Sequence, residues 1–320
     1  MKKFGVEMEI VGIRREKALR AIRAVGVDIR EENYNHTDST SHWKIVSDSS
    51  VRDGFEVVSP ILEGEAGLEQ LRVTAAALDD AGATADRSCG LHVHIDAHGL
   101  STAECRKIIR RYAAFEVEID AFMPQSRRAN NNTYCRSIRE QIHSRACQRA
   151  STLSELAHSM PGRYFKINLQ AYLRHGTIEF RQHSGSANAT KVCNWVRFLQ
   201  AFIDESCRRA HPEITAAPSL PSTGGVMGRL AALFAAQRIV SLETMMESFG
   251  WQAHTARATI ARLRRTGLDI RPLRGQHSYE LIGGAAGETP IPCEDSLFAG
   301  IPADLATFYR NRAAVFSAVA

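Results

Sequence analysis

Apolar and polar residues alternate in four widely separated stretches of this chain. In Phe4-Gly5-Val6-Glu7-Met8-Glu9-Ile10 the twofold period of a strand puts Val6, Met8 and Ile10 on one face and Glu7 with Glu9 on the other. Gly54 to Pro60 repeats the habit with Glu56, and Pro60 ends it. In Cys89 to Asp96, His92, His94 and Asp96 oppose Leu91, Val93 and Ile95; in Thr177 to His183, Glu179 and Arg181 oppose Ile178 and Phe180. A shorter strand is predicted at Trp43 to Val46, and Arg163 to Leu169 is predicted to pair with Thr177 to His183 as a hairpin through His175-Gly176.

Between the strands the apolar spacing turns helical. Arg15 to Val25 is stopped by Gly26, and Glu63 to Ala81 by Gly82. A helix from Ser101 to about Phe122 opens on a capping box with Glu104, and Ala189 to Arg209 carries a Val192, Val196, Leu199, Ile203 stripe. The fold class is α+β.

The rest differs in kind. Gln125 to Ser151 holds Arg127, Arg128, Arg136, Arg139, Arg145 and Arg149 against one acid, Glu140, and reads as a basic, partly helical excursion beside a site. His211 to Gly225 is rich in Pro, Ser and Gly, and marks a boundary. Helices at 226–236, 242–249 and 254–265 and a hairpin at 268–272 and 278–282 follow in a winged-helix-like order. The expected organisation is a domain at 1–210, a linker at 211–225, a small domain at 226–282, and a tail at 283–320 ending in a helix from Ala303.

With 44% hydrophobic and 23% charged residues the chain is neither disordered nor fibrous. A net charge of +5 is mild and compatible with a phosphate-bearing ligand or nucleic acid. Seven scattered cysteines without a Cys-x-x-Cys pair suggest neither a disulfide framework nor a zinc knuckle, and fit a reducing cytoplasm. Neither an apolar leader nor a membrane-length apolar run is present, so no membrane association is expected.

Glu7, Glu9, Glu56, His92 and Glu179 all stand at polar positions of otherwise apolar strands. Adjacent carboxylates repel, and carboxylates with one imidazole suit a hard divalent cation such as Mg or Mn. Arg181 offers a fork to phosphate or carboxylate on the same face.

Gly-Val-Glu-Met-Glu at 5–9, Glu-Val-Val-Ser-Pro at 56–60, Cys-Gly-Leu-His-Val-His at 89–94, Asn168-Leu169 and Gly-Thr-Ile-Glu-Phe-Arg at 176–181 resemble the amidoligase family of carboxylate-amine ligases, relatives of glutamine synthetase and glutamate-cysteine ligase. The resemblance implies a glutamine-synthetase-like antiparallel half-barrel binding ATP and Mg or Mn, and an amide formed from a carboxylate and an amine through an acyl phosphate. By the same similarity Glu7, His92 and Glu179 would hold one ion and Glu9 with Glu56 a second. His94, Lys166 and Asn168 would lie near the nucleotide, with Arg181 and Glu179 at the transferred phosphate. Arg127, Arg128, Arg136 and Arg139 would wall a second substrate, an amino acid, peptide or protein side chain. The alternative is a nucleotide- or metal-sensing regulator that binds DNA through Arg257, Arg262, Arg264 and Arg265 of the small domain and Arg271 and Arg274 of its wing.

Overall fold

The structure, a computed structural model, describes all residues except 34–40, 52, 209–224, 238, 266–268, 274–276, 284–296 and 319–320. They fall into two compact units, Met1–Arg209 with Glu294–Ala320, and Ala210–Cys293. Among the described residues, no helix is long and apolar enough to cross a membrane.

The first unit is built on β1 (Phe4–Ile10), β2 (Ile29–Glu31), β3 (Trp43–Val46), β4 (Phe55–Val58), β5 (Gly90–Asp96), β6 (Ile167–Asn168) and β7 (Thr177–Ser184). They form one mixed sheet in the order β2-β3-β4-β1-β5-β7-β6, antiparallel except where β2 runs parallel to β3. The register decides which polar side chains meet. Glu9 is opposite Glu56, Glu7 opposite His92, His94 opposite Glu179, and Asn168 opposite Glu179 from the other side. Directly opposed residues share a face, so all of these point the same way.

The other face is the core. Val6, Met8, Ile10, Val57, Val93, Ile95 and Phe180 are at most 1% exposed. They pack in one apolar cluster with α1 (Arg15–Ala24), α2 (Gly64–Asp80), α3 (Thr102–Ala114) and α8 (Ala189–Arg208). Each such large apolar side chain contributes roughly 1.5–3 kcal/mol, which holds the register against the repulsion on the polar face. The final helix, α12 (Ala303–Ala318), also belongs to this unit. Its Tyr309 ring lies 4.6 Å from that of Phe122 and 5.1 Å from that of Phe198, while Arg111 donates to the carbonyls of Leu297 and Ala299 at 3.3 Å.

Several sequence expectations are corrected. The helix expected from Ser101 to Phe122 breaks at Phe115 into α3 and α4 (Glu116–Ala121), although its capping box forms. The expected pairing forms, with Ile167 opposite Phe180 and Asn168 opposite Glu179, but over a two-residue strand, β6, and with a helical turn, α7 (Ala171–His175), before β7. Gly176 ends that turn at φ 66°, and the space beside its Cα is filled by the His98 ring, so a side chain would meet both strain and collision. The basic excursion contains α5 (Arg145–Arg149), and α6 (Leu153–His158) follows it.

The register of β5 with β7 also slips by one residue. Val93 faces Phe180 but Leu91 faces His183, so β7 carries the extra residue. The bulge turns two consecutive side chains, Gln182 and His183, into the interior. There Gln182 accepts from the Tyr112 hydroxyl at 2.5 Å, and burial pushes the His183 imidazole down to about 3, keeping it neutral.

The second unit runs α9 (Val226–Gln237), β8 (Ile239–Ser241), α10 (Leu242–Phe249), α11 (Ala253–Arg265), β9 (Asp269–Leu273) and β10 (Ser278–Gly283). Its sheet has the order β8-β10-β9, and its core gathers Leu230, Phe234, Val240, Met245, Ile260 and Ile270. The sequence reading missed β8, which is three residues long.

Candidate active site

The polar face of the first unit's sheet floors a cavity of about 1220 Å³, larger than the roughly 300–1,000 Å³ typical of a single small ligand. Two donor groups lie on that floor: Glu7, His92 and Glu179, and Glu9, Glu56 and His92, each with one ligand atom per residue within 4.8 Å of the others. His92 joins them, its Nδ1 3.0 Å from Glu7 Oε2 and its Nε2 3.6 Å from Glu9 Oε1. Gly90 makes this approach possible. A Cβ there would stand 2.7 Å from His92 Nε2 and 2.8 Å from Arg127 Nη2, and the bare backbone lets the Gly90 amide donate to Glu9.

The electrostatics show what this floor lacks. Burial, reinforced by the charges of Glu7, Glu9 and Asp48, pushes the Glu56 carboxyl well above its ordinary range. Burial also acts to raise Glu7, but hydrogen bonds and charge from His92 and His94 outweigh it and hold that carboxyl well down. For His94, burial favours the neutral ring; Glu179 and Glu7 overcome it and raise the imidazole to about 8. Burial acts to raise Glu179 as well, but the charges of Arg181 and His94 outweigh it and hold that carboxyl down; Arg181 bonds one of its oxygens and Asn168 Nδ2 donates to the other at 2.5 Å. Four carboxylates meet two histidines, Arg181 and, further along the cavity lining, Lys44, so acids outnumber the fixed cations on this floor. A hard divalent cation fits that donor set.

The structure brings Glu7, Glu9, Glu56, His92, His94, Asn168, Glu179 and Arg181 onto one face. Asn168 acts there on Glu179, and its Oδ1 also accepts from the Gln170 amide at 2.9 Å.

Lys166 is placed elsewhere. Its ammonium is fully buried between Glu116 Oε1 at 3.0 Å and Asp120 Oδ1 at 2.6 Å, so it has no surface to offer a nucleotide. The four arginines expected to wall a second substrate do not line the cavity either. Arg127 is buried beneath Gly90, donating to the Cys89 carbonyl. Arg128 reaches the Met123 carbonyl and the Phe316 ring, and Arg136 lies 4.5 Å over the Phe165 ring. The Arg139 amide donates to the Ser137 hydroxyl at 3.2 Å.

The cations that do line the cavity are Lys3, Lys44, Arg163, Arg174 and Arg181. Its strand position between Trp43 and Ile45 is the one local signal for Lys44, and nothing local distinguishes Arg163 or Arg174 from surface residues. The six described cysteines form no disulfide and none lines the cavity. In the second unit Arg257, Arg262, Arg264 and Arg271 are exposed, and Arg264 Nε donates to the Ile270 carbonyl at 2.5 Å. The Arg265 side chain and Arg274 lie outside the described residues.

An acidic, histidine-centred sheet face beside a buried arginine fork is a donor set that a divalent cation would fit and a fork that an anion would meet. A family model described as "Putative amidoligase enzyme" matches residues 1–203, and the chain belongs to that family, whose reaction class is amide-bond formation. No curated protein matches the chain.

Proposed function

We propose that this protein is an ATP-dependent, Mg- or Mn-dependent ligase that joins a carboxylate to an amine through an acyl phosphate. The observation that carries the reading is the pair of donor groups meeting at His92, with Arg181 bonded to Glu179 at their edge. Glu7, His92 and Glu179 would hold one ion, and Glu9 with Glu56 a second. Bound there, divalent ions would screen the repulsion between nucleotide phosphates and an incoming carboxylate. The one-sided sheet with helices on its apolar face supports a half-barrel similar to that of glutamine synthetase.

In the first step a carboxylate oxygen bonds to the γ-phosphorus as the bond to ADP breaks. In the second the amine nitrogen bonds to the acyl carbon, phosphate leaves, and the amine proton passes to solvent. Arg181, kept cationic against burial by Glu179 and Glu7, directs its fork at the charge that builds on the transferring phosphoryl group. Asn168 fixes the rotamer of Glu179, and His94, held by Thr177 Oγ1 at 2.9 Å, adds positive charge. The test is release of ADP and phosphate from ATP by purified protein, expected only when Mg and a pool of amino acids and peptides are both present. Release indifferent to the pool would contradict ligation.

A second reading concerns the second unit alone: its helix-strand-helix-helix-hairpin order supports a winged helix that contacts nucleic-acid phosphates. A three-residue turn, with Gly250 in the left-handed region, joins α10 to α11, and α11 contains no acid and exposes Arg257 and Arg262. Duplex DNA is expected to bind with an affinity that falls steeply with salt and drops in Arg257→Ala and Arg262→Ala. No binding at low salt would remove this reading.

A further inference from the structure

Tyr134 and Tyr164 stand together on the cavity wall that starts at Arg181. Their rings meet edge to face, with centroids 5.2 Å apart and planes at 85°. Tyr134 is 46% exposed, whereas Phe4, the one other Phe, Tyr or Trp among the described lining residues, is 2% exposed. Two guanidiniums flank Tyr164, that of Arg163 at 5.1 Å and that of Arg181 at 6.0 Å from its centroid.

The wall is rigidly built. The Arg136 amide donates to the Tyr164 carbonyl at 3.1 Å, the Lys166 amide to the Arg136 carbonyl at 2.8 Å, and the Arg181 amide to the Lys166 carbonyl at 2.8 Å. Arg181 Nε reaches the Tyr134 carbonyl at 3.3 Å. Beneath these crossings lies the Lys166, Glu116 and Asp120 ion cluster. Lys166 therefore supports the wall from inside.

Two exposed or half-buried phenol rings with two arginines, fixed beside a fork for phosphate, match a ligand that is planar at one end and anionic at the other. Arginine over an aromatic face strengthens the stacking of a further ring. An amine substrate fits this wall poorly, since the flanking charges are cationic. The lining carboxylates outside the donor groups, Asp48 and Asp96, belong to the loop after β3 and to the end of β5 that pairs with Thr177.

We propose that the Tyr134–Tyr164 wall is the platform for the purine ring of the nucleotide whose phosphates occupy the Arg181 and Glu179 end. This assignment rests on the ATP-dependent reading above. It makes Tyr134 a binding residue that acts through its ring and not through its hydroxyl.

The test compares equilibrium binding of MgATP and of Mg-tripolyphosphate, which has no base, to the wild type, Tyr134→Ala and Tyr134→Phe by titration calorimetry. Tyr134→Ala is expected to weaken MgATP at least about fivefold, the lower end of what one base stacked on an aromatic ring provides, and to leave tripolyphosphate unchanged. Tyr134→Phe should bind both like the wild type. MgATP binding unchanged in Tyr134→Ala, or both ligands weakened equally, would overturn the platform while leaving the phosphate site standing. If the wild type binds neither ligand, the platform and the ATP reading fall together.

Discussion

Glu179→Gln is expected to cut pool-dependent ADP release by about 10³-fold or more, with the protein still folded. The exchange removes a charge but almost no volume, so the loss would come from electrostatics. Glu179 touches three partners at once: Arg181 bonds one oxygen, Asn168 bonds the other at 2.5 Å, and His92 Nδ1 lies 3.8 Å away. A glutamine amide can accept from Arg181 through its oxygen, but its nitrogen then confronts the Asn168 Nδ2 donor. Turning Asn168 over would relieve that clash at the expense of its bond from the Gln170 amide. The variant thus loses a donor atom to the ion and the anchor that aims Arg181. Circular dichroism unchanged from the wild type, together with lost turnover, is the expected pair of results; turnover within tenfold of the wild type would show that Glu179 is not a ligand.

Arg181→Lys should lower kcat by about 10²–10³-fold with a smaller change in KM for ATP. Lysine keeps the positive charge, so a role limited to neutralising Glu179 would survive the change. The planar fork would not survive. Arg181 uses Nη1 on Glu179 and Nε on the Tyr134 carbonyl, which holds its guanidinium in a fixed plane in the cavity lining. An ammonium on a flexible stem can satisfy one of these partners, not all. Steady-state kinetics across ATP concentrations separate the cases: a loss confined to KM would make Arg181 a ground-state binder.

The sheet and the floor of its site were legible in the sequence because one face of every central strand is buried. Period-two alternation in β1, β4, β5 and β7 reports that burial directly, and the polar members of each strand fall on a common face once the strands pair. What was not legible depends on contacts distant in sequence. Lys166 has the parity of Asn168 and looked site-facing; Glu116 and Asp120, on a helix remote from it in sequence, draw it inward. The one-residue bulge in β7 defeats alternation beyond Arg181, so both Gln182 and His183 are buried. Arginine density in 127–149 marked a cation-rich segment without saying where each guanidinium goes. Arg127 turns under Gly90 and Arg136 onto Phe165, while the residues of this region that reach the cavity are Tyr134, Tyr164 and Arg163. That wall depends on the bridge between Arg136 and Phe165, a pairing between segments too short for any periodic signal.

The most direct test of the central claim follows oxygen. The protein would be incubated with ATP, Mg and a pool of amino acids and peptides whose carboxylates carry ¹⁸O, and the released phosphate would be analysed by mass. An acyl phosphate route predicts ADP, phosphate bearing one ¹⁸O from the carboxylate, and a product lighter than its two precursors by one labelled water. Unlabelled phosphate would mean that water attacks ATP, and release of AMP with pyrophosphate would mean adenylation; either result would contradict the proposed chemistry.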